Sequence, residues 1–230
     1  MAEKTCKQLP CGEQNFASIR TENYAYVDKT RYIEKLEKES NKRQFFIRPR
    51  KFGKSLFISM LSYYYDMLCA DRFQELFGGL YIGDNPTPLK NSYAIMEFDF
   101  SGIDTGTPEN FIKSFNGKVQ LLVQRFLERY KSVFRQSDKL IDNIEKNQMG
   151  IRALEIAYSA AMATGVKIFV IIDEYDHFAN DLIAMGVNDV YKKILLLSVR
   201  NDALHVNGLF LNLFHYLLTF VPFLSSLPYL

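Results

Sequence analysis

The chain has 230 residues, with 28 Lys and Arg against 26 Asp and Glu, so its formal net charge is +2. That length suits one α/β domain with a large core, and the nearly balanced charge excludes the strong basic signal of a general nucleic-acid binder. Three cysteines (Cys6, Cys11 and Cys69) show neither metal-ligand spacing nor a disulfide pattern, and the polar start shows no secretory signal, so we expect free thiols and a cytoplasmic location.

The first predicted region is a lead-in segment over residues 1–43. It contains a helix at Thr30–Lys38, in which Tyr32, Ile33 and Leu36 face inward. Asp28 lies just before this helix. We expect Asp28 to cap the helix, and the alternative is a place near a bound base.

A core domain is predicted over residues 44–205. It opens with a short apolar strand, whose end is formed by Gln44–Ile47. An amphipathic helix follows at Ser55–Tyr64. The tyrosines at 63–65 could stack on a base, but their place within a helix favours packing in the hydrophobic core.

Helices and strands alternate through the rest of this domain. A helical stretch that ends at Gly78-Gly79 is predicted within Ala70–Gly83. A strand is predicted at Tyr93–Phe100, and long helices at Pro108–Phe134 and Asn147–Thr164. The apolar face of the first long helix is formed by Phe111, Phe115, Val119, Leu122 and Phe126.

The segment Arg-Pro-Arg-Lys-Phe-Gly-Lys-Ser, residues 48–55, lies between the predicted strand and helix, as a phosphate-binding loop does. Gly53 lets the backbone approach phosphates, Lys54 would reach the β and γ phosphates, and the Ser55 hydroxyl would bind Mg²⁺. The first glycine of the usual pattern is replaced by Arg48, and the alternative is a basic turn before a helix. The expected nucleotide contacts are Arg48, Pro49, Arg50, Lys51, Phe52, Gly53, Lys54, Ser55 and Leu56.

A second pattern follows the apolar run Lys167–Ile172, which ends in Asp173 and Glu174. A continuous apolar run is typical of a central parallel strand, and ligands gather at the carboxyl ends of such strands. Asp173 would hold Mg²⁺, and Glu174 would be the catalytic base that activates the attacking water. Lys54 would be the second catalytic residue, through its contact with the phosphates. An ordinary buried strand with an acidic turn is the alternative.

Taken together, the two patterns predict a P-loop NTPase with ATP and Mg²⁺ as cofactors. The predicted fold is α/β, with three αβα layers around a mostly parallel sheet. Six stretches carry a resemblance to a known family: Leu9–Phe16, Tyr26–Thr30, Phe46–Leu56, Leu76–Ile82, Met96–Ser101 and Ile171–Asp176. Through them the chain resembles the AAA-ATPase-like family of gut anaerobes over about residues 8–200.

The resemblance implies that Arg48 is the usual residue of the family at its position. It also implies a restriction-endonuclease-like domain after the core, and through that domain a nucleic-acid partner. The match ends near Arg200, before the expected sensor segment, so the sheet is expected to be incomplete and the chain truncated.

The remaining tail, residues 206–230, is strongly apolar. Polar residues and a proline interrupt it, which disfavours a membrane helix. A buried core segment and an altered reading frame are alternatives. We predict that Leu209–Tyr216 forms a strand between the Gln44–Ile47 and Lys167–Ile172 strands, because unpaired central strands are costly.

Two classes of function remain open from the sequence. The first is an ATPase that binds Mg-ATP and hydrolyses it. The second is a truncated or non-hydrolysing nucleotide-binding interaction module, for which self-association is a further expectation. The missing sensor segment puts hydrolysis more in doubt than binding.

Overall fold

The computed structural model describes residues 7–39, 52–147 and 149–174. The chain divides into two compact units, Met1–Met96 with Gly165–Ile171 and Glu97–Thr164 with Ile172–Leu230. The predicted strands at Gln44–Ile47 and Leu209–Tyr216 lie outside the described residues, so both remain predictions.

The first unit is built mainly from short helices around one longer helix. In chain order they are α1 (Phe16–Thr21), α2 (Tyr32–Lys38), α3 (Lys54–Tyr65), a 3-10 helix (Met67–Arg72), α4 (Phe73–Phe77) and α5 (Tyr81–Asp84). The helix predicted at Ser55–Tyr64 is confirmed as α3. The helical stretch predicted at Ala70–Gly83 is confirmed in its end at Gly78-Gly79, where α4 stops and Gly79 takes a left-handed φ of 72°. It is not one α-helix, because the 3-10 helix precedes α4 and α5 follows it.

Helix α3 supplies the centre of the hydrophobic core of this unit. Its residues Met60 and Tyr64 are fully buried, and Tyr64 lies edge-on to Phe77, with ring centroids 5.5 Å apart. The backbone N–H of Phe16, at the start of α1, donates a hydrogen bond of 3.0 Å to the Ser59 hydroxyl of α3. The core position predicted for the tyrosines is confirmed for Tyr64 and Tyr65.

The two buried tyrosine hydroxyls of α3 are satisfied by a polar network at the edge of this core. Tyr65 donates to a Glu37 carboxylate oxygen at 3.0 Å, and the Thr87 hydroxyl donates to the same oxygen at 2.8 Å. The Tyr64 hydroxyl accepts the Thr87 backbone N–H at 2.8 Å. Burial and the Glu37 charge raise the pKa of Tyr65 strongly, so this hydroxyl stays protonated and remains a donor.

Two parallel strands are described, β1 (Tyr93–Asp99) and β2 (Lys167–Asp173), and they are neighbours in the sheet. Both strand predictions are confirmed to within one residue. Phe169 of β2 stacks on Tyr65 of α3 with ring centroids 4.7 Å apart. The larger, mostly parallel sheet of the three-layer prediction involves residues beyond the described part of the chain and stays a prediction.

The described part of the second unit contains three helices, α6 (Pro108–Arg129), α7 (Ser137–Glu145) and α8 (Gly150–Thr164). The start of α6 is fixed by Thr107, whose hydroxyl accepts the Asn110 N–H at 3.2 Å. The apolar face of α6 is confirmed, although Phe115 and Leu122 are only half-buried. The fully or nearly fully buried residues of this face are Phe111, Val119, Val123, Phe126 and Leu127.

Helix α8 packs closely on α6 because most of its buried residues are small. Ala153, Ala157 and Ala161 are buried at helical spacing, and a Cβ atom on Gly150 would come within 3.0 Å of Val119. The predicted helix start at Asn147 is wrong, since the Asn147 N–H bonds the Ile144 carbonyl at the end of α7. Within the described residues, no helix has the length and apolar character needed to cross a membrane.

Candidate functional site

The N-terminus of α3 has the backbone geometry that binds anions. Gly53 precedes the helix with φ 73° and ψ 32°, a left-handed conformation that glycine adopts without strain. Its carbonyl accepts the Phe57 N–H at 3.0 Å, so the helix begins at Lys54. The first N–H groups of a helix have no acceptor within it, and they point with the positive dipole end toward any bound anion.

The side chains at the start of α3 differ in how deeply they are buried. Lys54, Ser55 and Leu56 are half-buried, and Leu56 packs against the hydrophobic core. Phe52 is 63% exposed. The other predicted contacts, Arg48, Pro49, Arg50 and Lys51, lie outside the described residues and remain predictions.

Another lysine, which sequence reasoning did not assign to the site, reaches the same helix start. The Lys29 ammonium nitrogen lies 3.8 Å from the position that a Cβ atom on residue 53 would take. Lys29 belongs to the Tyr26–Thr30 stretch that carries part of the family resemblance. That resemblance was the signal in the sequence that could have pointed to Lys29. The sequence alone does not show that Lys29 lies beside Gly53 in the folded protein.

The turn that carries Lys29 is fixed by the carboxylate of Asp28. One oxygen accepts the Thr30 N–H at 2.8 Å and the Thr30 hydroxyl at 2.7 Å, and the other accepts the Tyr81 N–H at 2.8 Å. Desolvation acts to raise the pKa of Asp28, but these hydrogen bonds outweigh it and lower that pKa. The predicted capping of α2 by Asp28 is therefore wrong. Arg31 is the residue before α2, and among the described residues no side-chain hydrogen bond caps that helix.

The carboxylates at the end of β2 belong to the second unit. An Asp173 carboxylate oxygen accepts the Glu174 N–H at 2.9 Å, and both residues are half-buried. Glu174 has a φ of 52°, which is uncommon for a residue with a side chain and costs of order 1–3 kcal/mol. Asn23, Asn91 and Gln136 also have a positive φ, so this conformation alone does not mark Glu174 as a functional residue.

Asp99, which ends the neighbouring strand β1, was also missed as a candidate. The Phe100 N–H donates to the Asp173 carbonyl at 3.3 Å, which places Asp99 beside Asp173 across the parallel pair. Desolvation acts to raise the pKa of Asp99, but hydrogen bonds from Ser101 outweigh it and lower that pKa. Among the described residues, no three His, Cys, Asp or Glu side chains are grouped so as to hold a metal ion on their own.

Replacement of Gly53 by alanine tests the left-handed helix start. We expect Gly53→Ala to lower the free energy of unfolding by about 1–2 kcal/mol, because the cost of the left-handed conformation falls on any residue with a Cβ atom. Among the described atoms, the nearest to that Cβ would be at an ordinary contact distance of 3.8 Å, so we expect the loss to come from the backbone conformation. Urea denaturation of the ligand-free protein measures it.

The matched control is the same substitution within α6. A Cβ atom on Gly117 would meet none of the described atoms within 4 Å, and Gly117 is exposed in the middle of a helix. Gly117→Ala should therefore raise stability by about 0.5–1 kcal/mol. Equal effects of the two substitutions would contradict the left-handed assignment of Gly53.

Comparison with known proteins points to one family. Residues 10–201 match the model of a family described as "Predicted AAA-ATPase". A relative from Azotobacter chroococcum mcd 1, described as "Uncharacterized protein in vnfD 5'region", is 30% identical over 171 residues, which are 74% of this chain and 29% of the relative. The match thus spans less than a third of that relative's length. No solved structure matches the chain.

Proposed function

Because the chain belongs to the predicted AAA-ATPase family, we propose that it binds ATP with Mg²⁺ and hydrolyses it. The observation that carries this proposal is the start of α3, where left-handed Gly53 is followed by Lys54 and Ser55. A nucleoside triphosphate carries the multiple negative charges that such a helix start attracts.

In this proposal the phosphates lie against the backbone N–H groups at the start of α3. Lys54 supplies a cation for the β and γ phosphates, and Gly53 leaves the backbone open to them. Arg48, Arg50 and Lys51 add positive charge in the preceding loop. The remaining proposed contacts are Pro49, Phe52, Ser55 and Leu56.

The residues assigned to the metal suit Mg²⁺ in their chemistry. Mg²⁺ prefers oxygen ligands, keeps several waters, and in nucleotide sites takes few protein ligands beside the phosphates. The Ser55 hydroxyl and an Asp173 carboxylate are such ligands, and a third protein ligand is not required. Mg²⁺ would neutralise phosphate charge, and Glu174 would orient and deprotonate the attacking water.

Calorimetric titration of the purified chain tests the proposal directly. We expect saturable binding of ATP in the presence of Mg²⁺, weaker binding when EDTA removes the metal, and much weaker binding of AMP, which lacks the β and γ phosphates. Phosphate release measured on the same sample reports hydrolysis. Failure of ATP to bind at millimolar concentration would overturn the proposed function.

Exchange of Glu174 for glutamine separates binding from turnover. We expect Glu174→Gln to bind Mg-ATP with nearly wild-type affinity and to lose phosphate release by about 100-fold or more, because an amide cannot accept the proton of the attacking water. Glu155→Gln is the control for phosphate release, which it should leave unchanged. Glu155 forms an ion pair with Arg152 on α8 and is not one of the proposed site residues.

Two results would change the assignment of Glu174. Equal turnover in the wild type and in Glu174→Gln would show that Glu174 is not the base. Tight Mg-ATP binding without any turnover in the wild type would instead favour the second candidate, a non-hydrolysing nucleotide-binding interaction module.

A further inference from the structure

Lys29 is held at the start of α3 by a turn that has little freedom. Its neighbour Asp28 bonds the backbone of Thr30 and of Tyr81, and its other neighbour Thr30 is fully buried. The Thr30 hydroxyl in turn accepts the Ile82 N–H at 3.1 Å. The backbone on both sides of Lys29 is therefore fixed to the start of α5, and the lysine side chain extends from a rigid base.

Lys29 lies at a position that is electrostatically unusual for a cation. Its ammonium lies beside Gly53, at the positive end of the dipole of α3. The first turn of α3, which is fully described, contains no acidic residue and begins with a second cation, Lys54. Cations are ordinarily favoured at the opposite end of a helix, so this arrangement is stabilised when an anion binds between the lysines and the helix.

We propose that Lys29 is a second phosphate-binding lysine of the nucleotide site, carried to the phosphates by the Asp28–Thr30 turn and acting beside Lys54. This inference rests on the proposed function, because the triphosphate is the anion that it assigns to the site. The ammonium of Lys29 binds non-bridging phosphate oxygens. The hydrogen bonds of Asp28 and Thr30 hold Lys29 in place before the ligand arrives, which lowers the entropy lost on binding.

Three lysine variants test the inference by calorimetry with Mg-ATP. We expect Lys29→Ala to raise the Kd by about tenfold or more, as for loss of a hydrogen bond to a charged group. Lys29→Arg, which keeps the charge, should recover most of the affinity. Lys38→Ala should leave the Kd unchanged, because the Lys38 side chain is 77% exposed at the end of α2 and forms an i,i+4 pair with Glu34.

Inorganic tripolyphosphate separates phosphate contact from an indirect effect. This probe has neither base nor ribose, so Lys29→Ala should weaken its binding by the same factor as that of ATP. The thermal midpoint of the ligand-free variant should match the wild type, because the fixed bonds of the turn belong to Asp28 and Thr30. A variant that loses ATP affinity but keeps tripolyphosphate affinity would overturn a phosphate role.

The outcomes distinguish this inference from the proposed function. If the wild type binds ATP and Lys29→Ala binds it with equal affinity, Lys29 is not a phosphate ligand, and the proposed function stands. If the wild type binds neither ATP nor tripolyphosphate, both fail. If Lys29→Arg binds as weakly as Lys29→Ala, charge at this position is not what the site requires, and the inference fails alone.

Discussion

Lys54→Ala is expected to abolish ATP binding while the protein stays folded. Lys54 is the first residue of α3, where its ammonium would contact two phosphates through charge-assisted hydrogen bonds. Loss of these contacts should raise the Kd for Mg-ATP by at least about 100-fold. Alanine is a good helix former, so the helix itself should persist. Calorimetry measures the Kd, and far-ultraviolet circular dichroism measures the helix content.

The control for this variant removes a lysine from the second unit. Lys131 is 64% exposed and pairs with Glu128 one turn away, and such surface pairs contribute little to stability. Lys131→Ala should therefore bind ATP as the wild type does. If Lys54→Ala also bound ATP with unchanged affinity, the start of α3 would not be the phosphate site.

Local sequence patterns predicted the elements that carry the candidate site. Gly53-Lys54-Ser55 follows an apolar run and precedes a helical periodicity, so the start of α3 could be placed within one residue. The run Lys167–Ile172 identified β2 and its terminal carboxylates in the same way. In each case the signal and the structure that it specifies are contiguous in the chain.

Short elements could not be predicted, because periodicity needs more residues than they contain. Helix α1 has six residues, Phe16–Thr21, and is capped by Asn15, which accepts the Ser18 N–H. It is also held from afar by Ser59, which accepts the Phe16 N–H. An isolated helix of that length is unstable in water, so tertiary contacts decide whether it forms.

The role of Asp28 shows why site residues are harder to predict than elements. Its place before a predicted helix favoured capping, which is a local interaction. Its carboxylate instead bonds the backbone of Tyr81, far along the chain. The approach of Lys29 to Gly53 is likewise a contact between distant segments. Neither contact follows from residue spacing, so each needs the folded structure.

Phe77→Ala is expected to be the most damaging substitution in the described part of the first unit. Phe77 is fully buried in the hydrophobic core. Its ring centroid lies 5.0 Å from that of Phe16, 5.2 Å from that of Phe73 and 5.5 Å from that of Tyr64. Removal of the ring would lose its transfer free energy and leave a cavity lined by these aromatic rings. The expected loss is about 3–5 kcal/mol of unfolding free energy, much of the stability of an ordinary domain.

Phe52→Ala is the matched control, because the same atoms are removed from a side chain that is 63% exposed. Without ligand it should change the unfolding free energy by about 0.5 kcal/mol or less. Urea denaturation followed by circular dichroism measures both variants. If Phe77→Ala were as stable as Phe52→Ala, the packing of α4 against α1 and α3 would be wrong. That packing supports α3, the helix that begins at Lys54. A large loss of unfolding free energy in Phe77→Ala should therefore also weaken Mg-ATP binding, although Phe77 is not a residue of the site.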